Sequence, residues 1–305
     1  MAKGDFWIVL VGAVIVYFAL TVYADSDKVV ASLASFHMMY IPALLALAFA
    51  NYLLRALKWH YFFRVMTLEI SFRENVYVFF SGLLMSITPG KFGEFWKSWL
   101  VRDLRGYELH RTVPIVFMDR ITDIVAMLTL ASFGVFVFRT GILFFTLAAA
   151  VLLLMLMILR SKTIMLKILG VSSRLEGVRR SYLSSLDLLG SRVFIVAVLI
   201  SLGAWFMECL AFFLTFKGLS IDAGLFGSTF IYAVSSVAGA LTMFPGGLGV
   251  TETSMVGLSS YLFDLDKSTA VVATFIIRVV TLWFAVGLGA ISYFMGRRLI
   301  YQKSA

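Results

Sequence analysis

The sequence predicts an all-α polytopic membrane protein, with six full spans plus two Pro-Gly-broken re-entrant hairpins in an inverted repeat. Three observations carry that prediction. Of 305 residues, 61% are hydrophobic and 14% charged, with a mean hydropathy of +0.96; a soluble domain is closer to half apolar and a quarter charged. A Pro-Gly motif occurs twice, each time with the same acid and arginine behind it. Lysine and arginine crowd into alternate connecting segments.

The first copy of the motif is Thr88-Pro89-Gly90-Lys91-Phe92-Gly93-Glu94. The second is Phe244-Pro245-Gly246-Gly247-Leu248-Gly249, with Glu252 three residues on. The chain has only 4 prolines, so two in one pattern point to internal duplication. The echo continues: Arg120 follows Glu94, and Arg278 follows Glu252, by the same 26 residues. The repeats are expected over 39–138 and 193–296, within a single transmembrane domain covering 1–305.

Uncharged apolar runs of about 18 residues or more mark membrane helices. Phe6–Tyr23 is the first. A signal peptide is the competing reading, but the run exceeds a usual signal core and a retained helix is expected. The second span, about Met39–Met66, stays uncharged to Leu54 and then meets Arg55, Lys58 and Trp59. Basic residues and an aromatic at a helix end suit a headgroup interface. Asn51 lies one turn before Arg55 on the same face.

Asn75–Thr88 is apolar but only 14 residues long, about 21 Å of helix, short of a hydrocarbon core of about 30 Å. Pro89-Gly90 then breaks it, and Phe92–Val101 is a second short amphipathic piece. Two half-helices meeting at a Pro-Gly turn form a re-entrant hairpin. Non-helical backbone at that depth must be buried in protein or line a wet cavity.

The third span, about Thr112–Phe138, carries Asp119, Arg120 and Asp123, with the two aspartates on one face. Local self-neutralisation near a helix end is one reading; the lining of a polar path is the other. Thr140–Leu159 is the fourth span. Residues 160–192 form a cytoplasmic basic loop with seven lysines and arginines, expected to be largely an amphipathic surface helix. It suits anionic lipids or a plain positive-inside loop. The fifth span, about Val193–Phe216, contains Glu208 beside Cys209. Residues 223–263 hold the second hairpin, and its 29 uncharged residues from Ala223 to Thr251 leave room for arms that span fully. The sixth span, about Ser268–Met295, carries Arg278.

With both termini in the cytoplasm, cytoplasmic segments hold 20 of the 26 basic residues and outer segments four. The positive-inside rule then fixes the orientation. The two units come out inverted, a device by which transporters offer equivalent gates to each side.

Other functions find no support. The +9 charge sits beside membrane spans, with no soluble domain to form a nucleic-acid groove, so no nucleic-acid partner is expected. There is no Gly-x-x-x-x-Gly-Lys-Ser/Thr loop for ATP. His37, His60 and His110 lack metal-ligand spacing, and neither metal nor cofactor is expected. A single cysteine excludes an internal disulfide.

Four pieces together resemble the lysylphosphatidylglycerol synthase transmembrane-region family, the flippase-like membrane half of the multiple peptide resistance factor, here in stand-alone form. They are Arg55-x-x-Lys58-Trp59, Pro89-Gly90-x-x-Gly93-Glu94-x-x-Lys97, Asp119-Arg120-x-x-Asp123 and Pro245-Gly246-Gly247-x-Gly249-x-x-Glu252. The resemblance covers about residues 5–298, and its two Pro-Gly pieces are the specific ones. Lys58 and Lys97 stand where the family commonly has arginine, and Asp119 where it has glutamate. The resemblance implies the movement or handling of charged lipids. No soluble aminoacyl-transferase domain follows, so synthase activity is not expected to carry over.

The leading expectation is a lipid flippase or scramblase in the cell membrane, moving a phospho- or polyprenyl-linked lipid. Arg55, Lys58, Arg120 and Arg278 would hold phosphate oxygens. Glu94 and Glu252 would balance the arginines or bind an amine or proton, and Gly90, Gly93, Gly246, Gly247 and Gly249 would let backbone approach a headgroup. Lys97, Asp119, Asp123, Pro89 and Pro245 complete the candidate set. Partners are membrane lipid, a lipid-modifying enzyme and a second copy of the chain. The alternatives are an enzyme or subunit in lipid-linked glycosyl or phosphoryl transfer, with Glu94, Asp119 or Asp123 as acid or base, and a structural protein whose charges lock helices together.

Overall fold

The computed structural model describes residues 3–88, 93–137, 146, 150, 153, 154, 157–170, 176–242 and 244–301. These residues are helical, with no strand among them. Pro89 and Gly90, and most of the expected fourth span, lie outside the described residues.

Helix α1 (Lys3–Tyr23) matches the first span, and α2 (Ser26–Ala34) follows it. The sequence had given 26–34 to an outer connecting segment; its apolar residues are too few to announce a span. α3 (Ile41–Val65) starts with proline in its first turn, where the missing N–H costs nothing. α4 (Phe72–Leu83) begins at a capping box: Ser71 accepts from the Glu74 N–H, and Glu74 accepts from the Ser71 N–H at 3.0 Å. A 3-10 turn, Leu84–Ile87, closes that arm. α5 (Trp96–Arg105) is the second arm and stops at Gly106 in the left-handed region. Its Arg105 reaches back to Glu74, tying the two arms together.

α6 (Leu109–Val137) is 29 residues long, with Pro114 inside it. The basic loop holds two short helices, α7 (Lys162–Leu169) and α8 (Glu176–Ser184), rather than one surface helix. α9 (Ser191–Gly218) covers the stretch expected as the fifth span. α10 (Leu225–Leu241) and α11 (Val250–Phe263) flank a 3-10 turn at Pro245–Gly247. They have 17 and 14 residues, about 26 and 21 Å of helix, so neither arm reaches across a full hydrocarbon core. α12 (Lys267–Arg278) starts at an Asp266 cap and runs through a π-helical turn, Val279–Trp283, into α13 (Phe284–Tyr301). No residue pattern announces that turn, which begins directly after Arg278.

Among the described residues, three stretches are long and apolar enough to cross a membrane: Met38–Val65, Ser191–Gly218 and Lys267–Gly296. α6 has the length but carries Arg111, Asp119, Arg120 and Asp123.

α3 and α9 pack side by side and antiparallel. His37 donates its N–H to the Gly218 carbonyl at 2.8 Å, Asn51 Nδ2 to that of Ala204 at 2.8 Å, and Lys58 Nζ to Ser201 Oγ at 2.7 Å. The first arm of each hairpin packs on the closing helix of the other half: α4 on α13, and α10 on α6. The two turns touch between them. α4 and α13 approach so closely that a Cβ on Gly289 would lie 2.3 Å from the Leu84 nitrogen. α1 packs antiparallel to α12, with Tyr17 against Phe275. Its Ala13 joins a small cluster with Ile87 and Leu248, one residue from each turn region.

Two large apolar cores stand end to end. One gathers Trp59, Phe63, Phe79, Val101 and Ile115. The other gathers Leu44, Phe212, Phe216, Ile231 and Val271. On α6 the first core ends at Ile121 and the second begins at Met127; on α9 the break falls between Ala197 and Leu202. Asp123 falls in that break on α6, while Arg55, Lys58, Asp119 and Arg120 lie along the stretches that build the first core.

Candidate functional site

Three helices, α3, α6 and α9, meet at Lys58 in the first half of the site. Lys58 projects from α3 with no solvent exposure. Its Nζ lies 2.8 Å from Asp119 Oδ1 and 2.6 Å from Asp123 Oδ1, both on α6, and donates to Ser201 on α9. Ser201 in turn donates to Asp123 Oδ1 at 3.0 Å. The i, i+4 spacing of the aspartates lets one lysine meet both.

Arg120 lies on the other side of the same carboxylates. Its Nη2 is 2.6 Å from Asp119 Oδ2 and 3.0 Å from Asp123 Oδ2, and its Nε is 3.0 Å from Glu94 Oε2. Lys97 on α5 sits 3.7 Å from Glu94 and 4.0 Å from Asp119, with its ammonium 4.4 Å from the centre of the Trp59 ring. Its stem crosses α4 at Gly82, where a Cβ would lie 2.4 Å from Lys97 Cγ. Arg55 is held differently. Its guanidinium lies between Phe79 and Trp205, 5.7 and 5.2 Å from the ring centres, and meets Asp123 only at 3.5 Å. Its Nε makes no hydrogen bond among the described residues.

The second half is simpler. Arg278 Nε lies 2.5 Å from Glu252 Oε1, and Nη2 donates to the Gly246 carbonyl at 2.7 Å. Glu252 Oε2 accepts the Gly249 N–H at 2.7 Å. Gly246 and Gly249 have φ of 61° and 86°, a region closed to most side chains. The Glu252–Arg278 pair thus holds the second turn at Gly246 and at Gly249, beside the turn's own backbone hydrogen bonds.

Both Glu–Arg pairs expected from the common spacing form. Their surroundings differ. Around the first, four cations (Arg55, Lys58, Lys97, Arg120) face three carboxylates (Glu94, Asp119, Asp123), a surplus of one positive charge. Around the second, one cation meets one carboxylate.

A cavity of about 470 Å³ lies between the halves. Of the candidate residues, Arg55, Glu94, Lys97, Arg120, Asp123, Gly246, Gly247 and Arg278 line it. Lys58, Asp119 and Glu252 stand behind the wall and hold the lining residues in place. Gly93 and Gly249 belong to the turns: Gly93 donates its N–H to Thr88 Oγ1 at 2.9 Å. Pro245 opens the second turn. The sequence reading did not place Tyr52, Trp205, Glu208 or Tyr232 in the site, yet all four line the cavity. For Glu208 there was a signal, a lone acid in an otherwise apolar helix. For the aromatics there was none. Among the described residues, no three His, Cys, Asp or Glu side chains converge as metal ligands do.

Residues 7–289 match the family described as the lysylphosphatidylglycerol synthase TM region. Among curated proteins, the chain is 23% identical to a UPF0104 membrane protein of Methanocaldococcus jannaschii, over 72% of this chain and 96% of the relative. A second UPF0104 membrane protein of that organism is 21% identical over 97% of this chain and 96% of the relative. A UPF0104 membrane protein of Methanothermobacter thermautotrophicus is 32% identical over 38% of this chain and 32% of the relative. The match spans both Pro-Gly turns, both Glu–Arg pairs and every helix lining the cavity: this chain is a membrane protein belonging to the lysylphosphatidylglycerol synthase transmembrane-region family.

Proposed function

We propose that the protein is a flippase or scramblase that moves a phosphate-bearing lipid, phospho- or polyprenyl-linked, across the membrane. The observation carrying this reading is the two-sided character of the cavity. One wall has a surplus positive charge; the other is apolar and open at its edge. Phe117, Ile124 and Leu241 line it and are 54%, 39% and 71% exposed. A headgroup would sit on the charged wall while its tails stayed against the apolar one. Arg55 is the first cation a phosphate would take, because its rings position it and no carboxylate holds it closely.

In this reading the units 39–138 and 193–296 are inverted, and their hairpins re-enter from opposite faces. Antiparallel packing of the corresponding helices α3 and α9 supports the inversion. So does the reciprocal seating of α4 on α13 and α10 on α6. The lysine and arginine distribution puts both termini in the cytoplasm. A phosphate at Arg55 and Lys97 competes with Asp123 and Glu94 for those cations. The first turn then loosens while Arg278 keeps the second closed. The enzyme reading has less support, because Glu94, Asp119 and Asp123 are each engaged by cations.

Liposomes containing the protein and tail-labelled fluorescent phosphatidylglycerol test the proposal. An impermeant quencher should reach inner-leaflet label in the presence of wild type and not with Arg55→Gln. Quenching no faster than in empty liposomes would sink it.

A further inference from the structure

We infer that Glu208 takes up a proton when an anion occupies the Arg55 side of the cavity, so that the site binds an anion and a proton together. This rests on the lipid-anion reading above and adds a coupled ion to it.

The inference starts from an asymmetry among the acids. Glu94 and Asp123, the other carboxylates lining the cavity, are ion-paired with one or more cations. Glu208 also lines it, at 5% exposure, and no ion pair holds it among the described residues. Its close partner is Tyr232, whose hydroxyl donates to Oε2 at 2.5 Å. The charged and titratable groups facing it are Tyr52 and Arg55 from α3, Asp123 from α6, Tyr232 from α10, Arg278 from α12 and Cys209 beside it on α9. Tyr40 and Asp187 belong to the turns packed at the two ends of α9.

With the cavity free of anions, burial disfavours the ionised form of Glu208, while the Tyr232 hydrogen bond and, from a distance, Arg55 and Arg278 favour it. Arg55 lies across the α3–α9 seam, stacked on Trp205, one turn before Glu208. A phosphate on Arg55 cancels that support and brings a second negative charge into the same water-poor space. Both changes disfavour the carboxylate. A proton from solvent then adds to the Glu208 carboxylate, forming an O–H bond, and no other bond changes. The protonated group becomes a donor, able to bond a phosphate oxygen while Oε2 still accepts from Tyr232. Because binding and protonation favour each other, the coupling is reciprocal. Anion affinity should rise as pH falls, by up to about tenfold per pH unit for one linked proton.

The experiment uses the full chain in detergent micelles and a short-chain, soluble phosphatidylglycerol. Calorimetric titration in buffers of different protonation heat, at several pH values, counts protons exchanged on binding. Wild type should take up close to one proton in part of that range; Glu208→Gln should bind the lipid and take up almost none. Equal proton counts in the two, or none in wild type at any pH, overturn the inference and leave the anion site standing. Absence of saturable binding by wild type, or equal affinity in Arg55→Gln, overturns the underlying reading instead. If Glu208→Gln does not fold, infrared difference spectra of wild type decide: a protonated-carboxyl band should appear on adding lipid, and its absence counts against the coupling.

Discussion

Arg120 meets Glu94 at 3.0 Å across the first hairpin, and the same 26-residue separation brings Arg278 to Glu252 at 2.5 Å across the second. The first arginine also carries two aspartates; the second carries a backbone carbonyl. The duplicated pair therefore works in two settings, one a charge cluster and one a turn clamp.

Removing Arg120 takes away the cation that contacts Glu94, Asp119 and Asp123 together in a buried setting. Arg120→Gln should cost about 3–5 kcal/mol, the usual penalty for breaking a buried pair. Thermal unfolding in detergent measures it. A double reversal with Glu94→Arg should recover only part of this, since the aspartates would still face a glutamate at 120. Full recovery would mean that the aspartates do not depend on Arg120.

Lys58 and Arg55 are one helical turn apart and should behave in opposite ways. Lys58→Met removes the centre of the Asp119–Asp123–Ser201 network and should destabilise by about 3–5 kcal/mol. Arg55→Gln gives up one long ion contact and two ring contacts, about 1 kcal/mol, while abolishing lipid movement. Unfolding midpoints and liposome assays on both variants would reverse these ranks if Arg55 were the structural member.

Gly289→Ala tests the close approach of α4 and α13. Its Cβ would meet the backbone of Leu83 and Leu84, the nearest atom 2.3 Å away, and backbone cannot swing aside. Overpacking of this kind costs about 1–3 kcal/mol. Gly257→Ala, with open space around it, is the control and should change the unfolding temperature little.

Topology can be read by single cysteines in a background where buried Cys209 is replaced. Exposed Arg73 and Asp103 flank the first hairpin, and exposed Asp222 and Asp264 the second. Arg73→Cys and Asp103→Cys should react with an impermeant reagent only from the cytoplasmic side. Asp222→Cys and Asp264→Cys should react only from outside. Labelling of all four from one side would falsify the inverted arrangement.

Much of the helical layout was legible because burial of charge and proline in lipid is costly, and that cost marks sequence directly. The common spacing of the Glu–Arg pairs was legible too, and both pairs form. What could not be read was how the helices rotate against one another. Lys58 and Arg55 look alike in sequence, yet rotation turns one into the core and the other into the cavity. Asn51, on the Arg55 face, spends its amide on the Ala204 carbonyl and helps to join α3 to α9. Glu208 was visible as an intramembrane acid, but its lack of a cation emerges only once α3, α9 and α10 are packed. The π-helical turn after Arg278 has no residue signature, and only the fold shows that the Tyr52 hydroxyl donates to the Thr281 carbonyl within it.

The end-to-end arrangement of the two apolar cores bears on how the molecule comes apart. Each core is closed by its own side chains, and their border on α6 carries Asp123 with its ion pairs to Lys58, Arg55 and Arg120, which weaken as water enters that layer. Wetting of that layer uncouples the ends, so one can lose its packing while the other keeps it. Loss of structure should then proceed in two cooperative blocks, each with its own hydrogen-exchange protection, with the border at Asp123 on α6.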